Sequence, residues 1–594
     1  MTTISLSPRT SVFARFPVCL NLPVGQQQFV DDATEAVRKE YRSSVRWKRL
    51  RCRKVEPLTN QPGETIFILE VGQSIEFDWT WEGAIAFRPI DPNLFTGDID
   101  TTDDFAGLIS NNEGVNNQLG VWAGEIVEVD ETNGRLFVSV SDPAHKPCVG
   151  SFFVRPFEFL AFLHSLFCQH KGTDLKKLLS ARLAASCGEI HPTVTEQPAS
   201  GLKELEQLWR HSWGILWGPP GTGKTYTLGR QVAACLNDRT ERILVVSTTN
   251  RATDAAALAI GRAAQIASPY SIEEGRILRF GKGADWTDYQ DRSLAGLLRG
   301  TETELLRKVG ELNRQLERTV THEERAPLRR QIQELRRCMK DSAFNIFVSP
   351  DVQVVVGTAF KALTLLNDPA ISTMIAAGES PFTTIVIDEA GLISRAVVSA
   401  LSLLASRRVL VVGDAKQLAP ISKVSRILPT SQAIWLGSSC LNHLQQVQQV
   451  SPGVHLLREQ HRMHPDISRV VSHFQYDGAL QDAPSVLNRP FNLPSILDGQ
   501  PRAIWYVLDD DCHDLPSIRA ERGAGNRSWL RPGTRIVLEK LFSDPEIRRA
   551  EGLFITPFKA QAKEIASYFA EEHLDCWSSG TVHARQGTEA DIVI

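Results

Sequence analysis

Apolar and polar positions alternate along the first part of the chain, then run together, then fall into helical spacing. Thr65–Val71 is rich in β-formers, and Gly124–Val140 (GEIVEVDETNGRLFVSV) alternates on both sides of Asn133–Gly134. That dipeptide supplies the positive φ angles of a two-residue hairpin turn. Short strands at this spacing predict a small barrel. Phe157–Phe167 and Asp174–Ala185 read as helices, and the prolines and small residues between His191 and Ser200 as a linker. From Trp213 onward the apolar runs become continuous. Ile243–Ser247, Val352–Gly357, Thr384–Asp388 and Val409–Asp414 alternate with helical stretches. Strands apolar on both faces belong to a parallel sheet with helices on each side, so the predicted class is α/β. One insert breaks the alternation. Leu305, Val309, Leu312 and Leu316 repeat at 4-3-4 spacing, as do Leu328, Ile332, Leu335 and Met339, with Pro327 where a second helix could start. An antiparallel helical hairpin is expected, its charged faces either solvated or open to a protein partner.

A length of 594 residues suggests three to five compact units at ~100–200 residues each. The net charge of −4 confines any nucleic-acid contact to a local groove, because a purely electrostatic binder is strongly basic. Arg38–Lys54 is the one dense basic run, with nine basic residues against one acidic, and Tyr41 and Trp47 interleaved. It reads either as a phosphate-tracking patch with stacking aromatics or as a solvated strand and turn. No two of the ten cysteines lie at CxxC spacing, which argues against a zinc ribbon or an iron–sulfur cluster. Ala396–Ser406 is too short to span a bilayer, which needs ~20 apolar residues, and reads as a buried helix. A soluble protein without a membrane partner is expected, cytoplasmic or, in a eukaryote, nuclear.

Chemistry enters at Gly218-Pro219-Pro220-Gly221-Thr222-Gly223-Lys224-Thr225, between a short apolar strand (Gly214–Trp217) and a helical stretch (Tyr226–Leu236). That context is what a phosphate-binding loop requires. Glycines let the backbone curl so that N–H groups face an anion, and the following helix presents its positive end to the same phosphates. Lys224 is placed to reach the β and γ phosphates, and Thr225 to offer its hydroxyl to Mg²⁺. The partner is a carboxylate pair at the end of an apolar strand, Asp388-Glu389. Asp388 is the metal residue, and Glu389 orients or deprotonates the attacking water. ATP and Mg²⁺ are the expected substrate and cofactor.

Further segments, together with these two, resemble the superfamily 1 helicases. The closest branch includes the nonsense-mediated-decay RNA helicase, the immunoglobulin-mu-binding helicase and senataxin. Val412–Pro420 (VGDAKQLAP) looks like motif III, and Glu459–Pro465 (EQHRMHP) resembles the branch's QYRMHP signature, with His461 replacing the tyrosine. Thr556–Gln561 (TPFKAQ) and Thr581–Glu589 (TVHARQGTE) resemble the ITPYxxQ segment and motif V. Ser247–Asp254 (STTNRATD) is similar to motif Ia, and Gly357-Thr358 to motif Ic.

The resemblance implies two tandem RecA-like domains with ATP between them and single-stranded DNA or RNA across their top. The N-terminal region corresponds to a β-rich, barrel-like subdomain. The expected divisions are 1–155 for that subdomain, 156–200 for a helical stalk and linker, 201–430 for the first ATPase domain and 431–594 for the second. The helical insert falls at about 285–345. By the same analogy Gln417 senses the γ phosphate, Arg462 stabilises charge on the transferred phosphoryl group, and Glu589 contacts the nucleotide. Thr248, Asn250, Thr358, Thr556 and Thr581 are the implied nucleic-acid contacts. The implied activity is an ATP-dependent helicase or translocase; the alternative is a non-unwinding, nucleic-acid-stimulated ATPase switch or scaffold.

Three departures from the family pattern stand out. Gln197 and Gln207 lie upstream of the phosphate loop, but neither has the context of the family's adenine-reading glutamine. His461 stands beside Arg462 in place of a phenol, a change expected to affect packing more than chemistry. The chain stops at Asp591–Ile594, before the family's arginine-bearing motif VI, so the second domain reads as incomplete and the sequence as a fragment. Residues 1–594 alone are expected to bind ATP and hydrolyse it poorly.

Overall fold

The computed structural model describes residues 27–44, 48–52, 54–61, 64–70, 84–87, 122–130, 135–140, 150–154, 159–169 and 174–188. It then describes 202–594 apart from 282–285, 291–292, 319–321, 367, 445–452, 490–493, 495–501, 503–520, 523–527, 583–584, 586–587 and 589. The linker 191–200, the Asn133–Gly134 turn, Gln197 and Glu589 lie outside them. Contacts group the chain into two units: Met1–Trp217 with Lys224–Leu456, and Gly218–Gly223 with Leu457–Ile594.

The first unit opens with helix α1 (Gln27–Ser44), which the sequence reading did not anticipate. Val30, Ala33, Ala36 and Val37 make its buried face. The basic run at Arg38–Lys54 is therefore not one strand and turn. Its first half ends α1 and its second half is strand β1. Seven antiparallel strands follow: β1 (Lys48–Cys52), β2 (Lys54–Gln61), β3 (Glu64–Glu70), β4 (Ala84–Phe87), β5 (Trp122–Asp130), β6 (Arg135–Val140) and β7 (Gly150–Val154). They pair in the order β1-β7-β4-β5-β6-β3-β2. β1 and β2 stand at opposite edges, yet Cys52 and Lys54 are two residues apart, at most ~7 Å of chain. The sheet must therefore curl to bring its edges together. β5 and β6 pair with Asp130 opposite Arg135 and a bulge between Ile126 and Glu128.

Helices α2 (Phe159–Gln169) and α3 (Asp174–Ser186) lead to the α/β core. Its strands are β8 (Trp213–Trp217), β9 (Ile243–Ser247), β10 (Ile277–Arg279), β11 (Val354–Thr358), β12 (Phe382–Ile387), β13 (Ala405–Gly413) and β14 (Val454–Leu456). All neighbours are parallel, in the order β10-β11-β9-β12-β13-β8-β14. β8, β9 and β12 are buried along their whole length, as the continuous apolar runs require. Because β14 joins this sheet, the boundary expected at residue 430 falls inside the first unit, which runs through Leu456.

Helix α4 (Lys224–Cys235) follows β8, and α5 (Asn250–Ala267) follows β9. The insert is α6 (Glu302–Arg318) and α7 (His322–Val348). Val309, Leu316 and Ile332 form its own small core, and the Ser342 hydroxyl near the end of α7 donates to the Gly300 carbonyl before α6 at 2.7 Å, so the two helices run antiparallel. α7 begins five residues before Pro327. Proline there forfeits one hydrogen bond, to the first turn, which a helix end tolerates. Ala396–Ser406 is not a single helix. α8 (Arg395–Leu401) ends in a 3₁₀ turn through Leu404, and β13 starts at Ala405. The whole stretch is buried, so its apolar run carried no period to separate helix from strand. Helix α9 (Thr430–Gly437) completes the elements used below.

The second unit holds a two-stranded pair, β15 (Glu459–Gln460) with β16 (Gln481–Asp482), helix α10 (Pro465–Gln475), and a short pair, β17 (Glu521–Arg522) with β18 (Trp529–Leu530). A parallel sheet of order β20-β19-β21 follows, from β19 (Gly552–Thr556), β20 (Trp577–Thr581) and β21 (Ile592–Val593), with helix α11 (Lys559–Glu571) after β19. Its core gathers Phe542, Phe554, Tyr568, Phe569 and Trp577, with Ile592 and Ile594 packed against it. Among the described residues no helix is long and apolar enough to cross a membrane.

Candidate active site

In a parallel sheet the strands' carboxyl ends gather on one edge, where open α/β folds bind ligands. Five site segments follow strands of the first unit's sheet at that edge, the first of them, from Gly218, grouped with the second unit. Gly218 follows β8, Thr248 and Asn250 follow β9, Thr358 ends β11, Asp388 and Glu389 follow β12, and Asp414 follows β13. Register brings some of them side by side. Thr358 pairs with Ser247, next to Thr248, and the Asp388 N–H donates to the Val246 carbonyl at 2.8 Å.

The phosphate loop turns through two glycines in the left-handed region, Gly221 at φ 78° and Gly223 at φ 75°. Side chains would be strained at both. The Thr222 hydroxyl donates to the Pro219 carbonyl at 2.7 Å, which closes the curl, and Lys224 and Thr225 begin α4.

Asp388 is buried. Its carboxylate accepts the Glu389 N–H at 2.9 Å. Burial and the neighbouring Glu389 carboxylate push the Asp388 carboxyl up to about 7, against the pull of that N–H and of the Lys224 charge. Glu389 itself sits at φ 51°, a left-handed conformation that costs a side-chain-bearing residue about 1–2 kcal/mol. The 390–391 backbone approaches β13 so closely that a Cβ on Gly413 would meet the Ala390 and Gly391 nitrogens at 3.3 and 3.2 Å. The second buried carboxylate, Asp414, accepts the Trp217 indole N–H and the Lys416 N–H, each at 3.0 Å. Gln417 follows, half-buried.

Behind the nucleic-acid candidates lies a network absent from the sequence reading. Arg279, fully buried at the end of β10, donates from Nε to Asp254 at 2.9 Å and from Nη2 to the Asn250 side-chain oxygen at 3.0 Å. The Tyr289 hydroxyl donates to the same Asp254 oxygen at 2.7 Å. Asn250 is exposed, and its side-chain oxygen accepts the Arg279 N–H. The Thr358 hydroxyl accepts the Lys361 N–H at 3.2 Å, capping the helix that follows. The only sequence signal for Arg279 was an arginine closing an apolar strand.

In the second unit, Gln460 organises the loop that carries Arg462. Fully buried, it accepts the Arg462 and Met463 N–H groups at 2.9 and 2.7 Å. It donates to the Met463 carbonyl at 2.9 Å and to Asp482 at 2.6 Å. Gln460 stood inside the EQHRMHP segment without an assigned role. The His461 N–H donates to the Gly221 carbonyl at 2.8 Å, and a Cβ on Gly221 would lie 2.8 Å from the Arg462 Cβ. Arg462 is exposed, as is the His461 ring. Arg489 donates to the His461 and Arg462 carbonyls at 2.9 and 3.2 Å. Thr556 and Thr581 end adjacent parallel strands and face each other in register. Gln207 is exposed on the Glu206–Arg210 helix.

The donor set fits magnesium. The Asp388 carboxylate and the Thr225 hydroxyl are hard oxygens, and a buried carboxylate raised by desolvation gains from a cation. Among the described residues no group of three or more His, Cys, Asp or Glu could hold a metal by itself.

Comparison with known proteins agrees with this geometry. Two family models, each described as an AAA domain, match residues 199–424 and 436–594. The regulator of nonsense transcripts 1 homolog of Neurospora crassa is 24% identical over 421 residues, covering 68% of this chain and 34% of that protein. Helicase sen1 of Schizosaccharomyces pombe is 23% identical and covers 65% and 26%, respectively. DNA-binding protein SMUBP-2 of Rattus norvegicus is 23% identical, covering 64% and 37%. The chain thus spans about a third of the length of these curated relatives. Family models across both units and relatives from one branch converge with the motif order: the chain belongs to the superfamily 1 helicases, in the branch of the regulators of nonsense transcripts, Sen1 and SMUBP-2.

Proposed function

We propose that this chain is an ATP-dependent helicase or translocase that couples ATP hydrolysis to movement along a single strand of DNA or RNA. The observation that carries the reading is the carboxyl edge of the first sheet. There the phosphate loop leaves β8, and a buried aspartate after β12 interacts with Lys224. In this reading the backbone N–H groups of Gly218–Gly223 bind phosphate oxygens and Lys224 binds the β and γ phosphates. Asp388 and Thr225 would hold Mg²⁺, which when bound supplies positive charge to the β and γ phosphates. Glu389 orients the attacking water and accepts its proton. Gln417 reads the γ phosphate, Arg462 stabilises charge on the transferred group, and Glu589 contacts the nucleotide.

Thr248, Asn250, Thr358, Thr556 and Thr581 are the contacts to the strand. Hydroxyls and amides recognise phosphates and sugars without reading base edges, so sequence preference is low. The α6–α7 hairpin is the face for a protein partner.

The test is steady-state ATPase of this chain with no polymer, with single-stranded DNA and with single-stranded RNA, beside Lys224→Ala. Stimulation by one polymer, lost in the variant, supports the motor and names its track. ATP-dependent binding with no strand separation would replace it with a non-unwinding switch.

A further inference from the structure

Helix α1 carries a charge where an apolar residue belongs. Val30, Ala33 and Val37 mark its buried stripe at 3-4 spacing, and the next position in that pattern is Glu40, itself only 7% exposed. A buried carboxylate is costly unless donors surround it. Three do, and all come from one short segment. The Ser422 hydroxyl donates to Glu40 at 2.6 Å, the Lys423 N–H at 2.9 Å and the Val424 N–H at 3.3 Å. The same Ser422 oxygen accepts the Ser425 N–H at 3.0 Å, tightening the turn around the carboxylate.

Residues 422–424 lie five residues beyond Gln417. From Asp414 to Pro429 the chain has no regular helix or strand. That segment is held at its start by Asp414, through the Trp217 and Lys416 N–H groups, and farther on by Glu40. Ile421 and Ile427 are 76% and 81% exposed, so among the apolar residues of 421–427 only Val424 is buried, and its packing and the Glu40 carboxylate together hold the turn. Meanwhile α1 is anchored independently. Phe29 packs on Trp435 of α9 with ring centroids 5.2 Å apart, and Lys39 donates to Gln432 at 3.1 Å.

We propose that Glu40 is a positioning residue for Gln417: α1 fixes the segment after motif III through this carboxylate and thereby sets the nucleotide response. α1 leads within four residues into β1, so it ties the curled N-terminal sheet to that segment by a continuous stretch of chain. A ligand or partner that displaces the N-terminal sheet would act on hydrolysis through Glu40. The inference deepens the ATPase reading above and rests on it for its activity arm.

The test uses the full chain with Glu40→Gln and Glu40→Leu, beside Lys39→Ala, which loses a contact of α1 but none to 422–424. Amide hydrogen exchange of residues 415–424 is one readout; strand-stimulated ATPase and nucleotide affinity are the other. Glu40→Leu restores the apolar stripe but strands the Ser422, Lys423 and Val424 donors, whereas Glu40→Gln keeps an acceptor and should melt close to the parent, which separates positioning from folding. In both Glu40 variants exchange across 415–424 should rise at least about fivefold, while Lys39→Ala stays at the parent value. Stimulated turnover should fall about tenfold with nucleotide Kd unchanged, the signature of a misplaced group rather than lost binding. In a Gln417→Ala background, Glu40→Gln should cost nothing further.

Unchanged exchange overturns the proposal whatever the activity. Raised exchange with unchanged turnover, or with costs that add to Gln417→Ala, overturns the positioning role. A parent chain that binds no nucleotide overturns the ATPase reading instead, and the exchange result alone then decides whether Glu40 holds the segment.

Discussion

Gln460 offers a sharp test of how the second unit presents Arg462. Its side chain makes four hydrogen bonds from a fully buried position: two accepted from the 462 and 463 N–H groups, and two donated, to the Met463 carbonyl and to Asp482. At ~1 kcal/mol net per bond the ceiling for Gln460→Ala is about 4 kcal/mol. Arg462 is exposed, so water replaces part of the loss, and a cost of about 2–3 kcal/mol remains. For a unit of this size that lowers Tm by roughly 6–9 °C.

Gln460→Glu separates the two halves. Its oxygens still accept both N–H groups, but it opposes the Met463 carbonyl and sets a second carboxylate against Asp482, 2.6 Å from the present amide nitrogen. Two carboxylates that close share a proton, so the pair's folded pKa rises above the unfolded value. The variant is therefore least destabilised at low pH, and its stability falls as pH rises through the raised value. Calorimetry of the full chain from pH 5 to 8, with ATPase alongside, measures both effects. Hydrolysis should fall in both variants, because the backbone that carries Arg462 is no longer pinned. A Gln460→Ala chain with parental Tm and parental turnover would refute the reasoning, as would a Gln460→Glu chain whose stability is flat with pH.

Three further outcomes follow from the first unit. Glu389→Gln should bind nucleotide normally and hydrolyse it on the order of 10²–10⁴ times more slowly; Glu389→Gly should do the same with stability unchanged or raised by up to ~1 kcal/mol, since φ 51° suits glycine, and urea melts beside turnover assays check both. Asp388 has a folded pKa of about 7 against an unfolded value near ~3.9, so the native state binds the proton more tightly. Stability without metal or nucleotide should then fall as pH rises through that interval, and Asp388→Asn should flatten the slope in urea melts. Trp217→Phe removes an indole N–H from a buried carboxylate and should cost about 1–3 kcal/mol in urea melts.

The sequence made legible whatever depends on local order along the chain. The phosphate loop needs only strand, glycines, lysine and helix in succession, and these appear at Trp213–Cys235. Asp388 was legible because an apolar strand that suddenly ends in a carboxylate has few other uses. What escaped was everything set by partners distant in sequence. Glu40 meets Ser422 across 382 positions, and Trp217 meets Asp414 across 197. Nothing local distinguishes those residues from surface ones. Continuous burial likewise hid the change from helix to strand at Ala405, because a stretch buried on every side has no period to read.

The two buried aspartates of the first sheet divide structure from chemistry. Both follow central strands at the same edge, and both are about 2% exposed. Asp414 accepts two donors of the protein itself, an indole N–H and a backbone N–H. Asp388 has a backbone N–H and the charge of Lys224 on its side, but burial and Glu389 outweigh them and raise its pKa. A carboxylate kept short of positive charge gains most when a cation binds, because the ion removes both the desolvation cost and the repulsion from Glu389. Glu389 beside it holds a left-handed backbone conformation, while the adjacent strand end, its Asp414 carboxylate bonded to the Trp217 and Lys416 N–H groups, leads into Gln417. That contrast is why Asp388→Asn should change the pH profile and Trp217→Phe should change only the baseline.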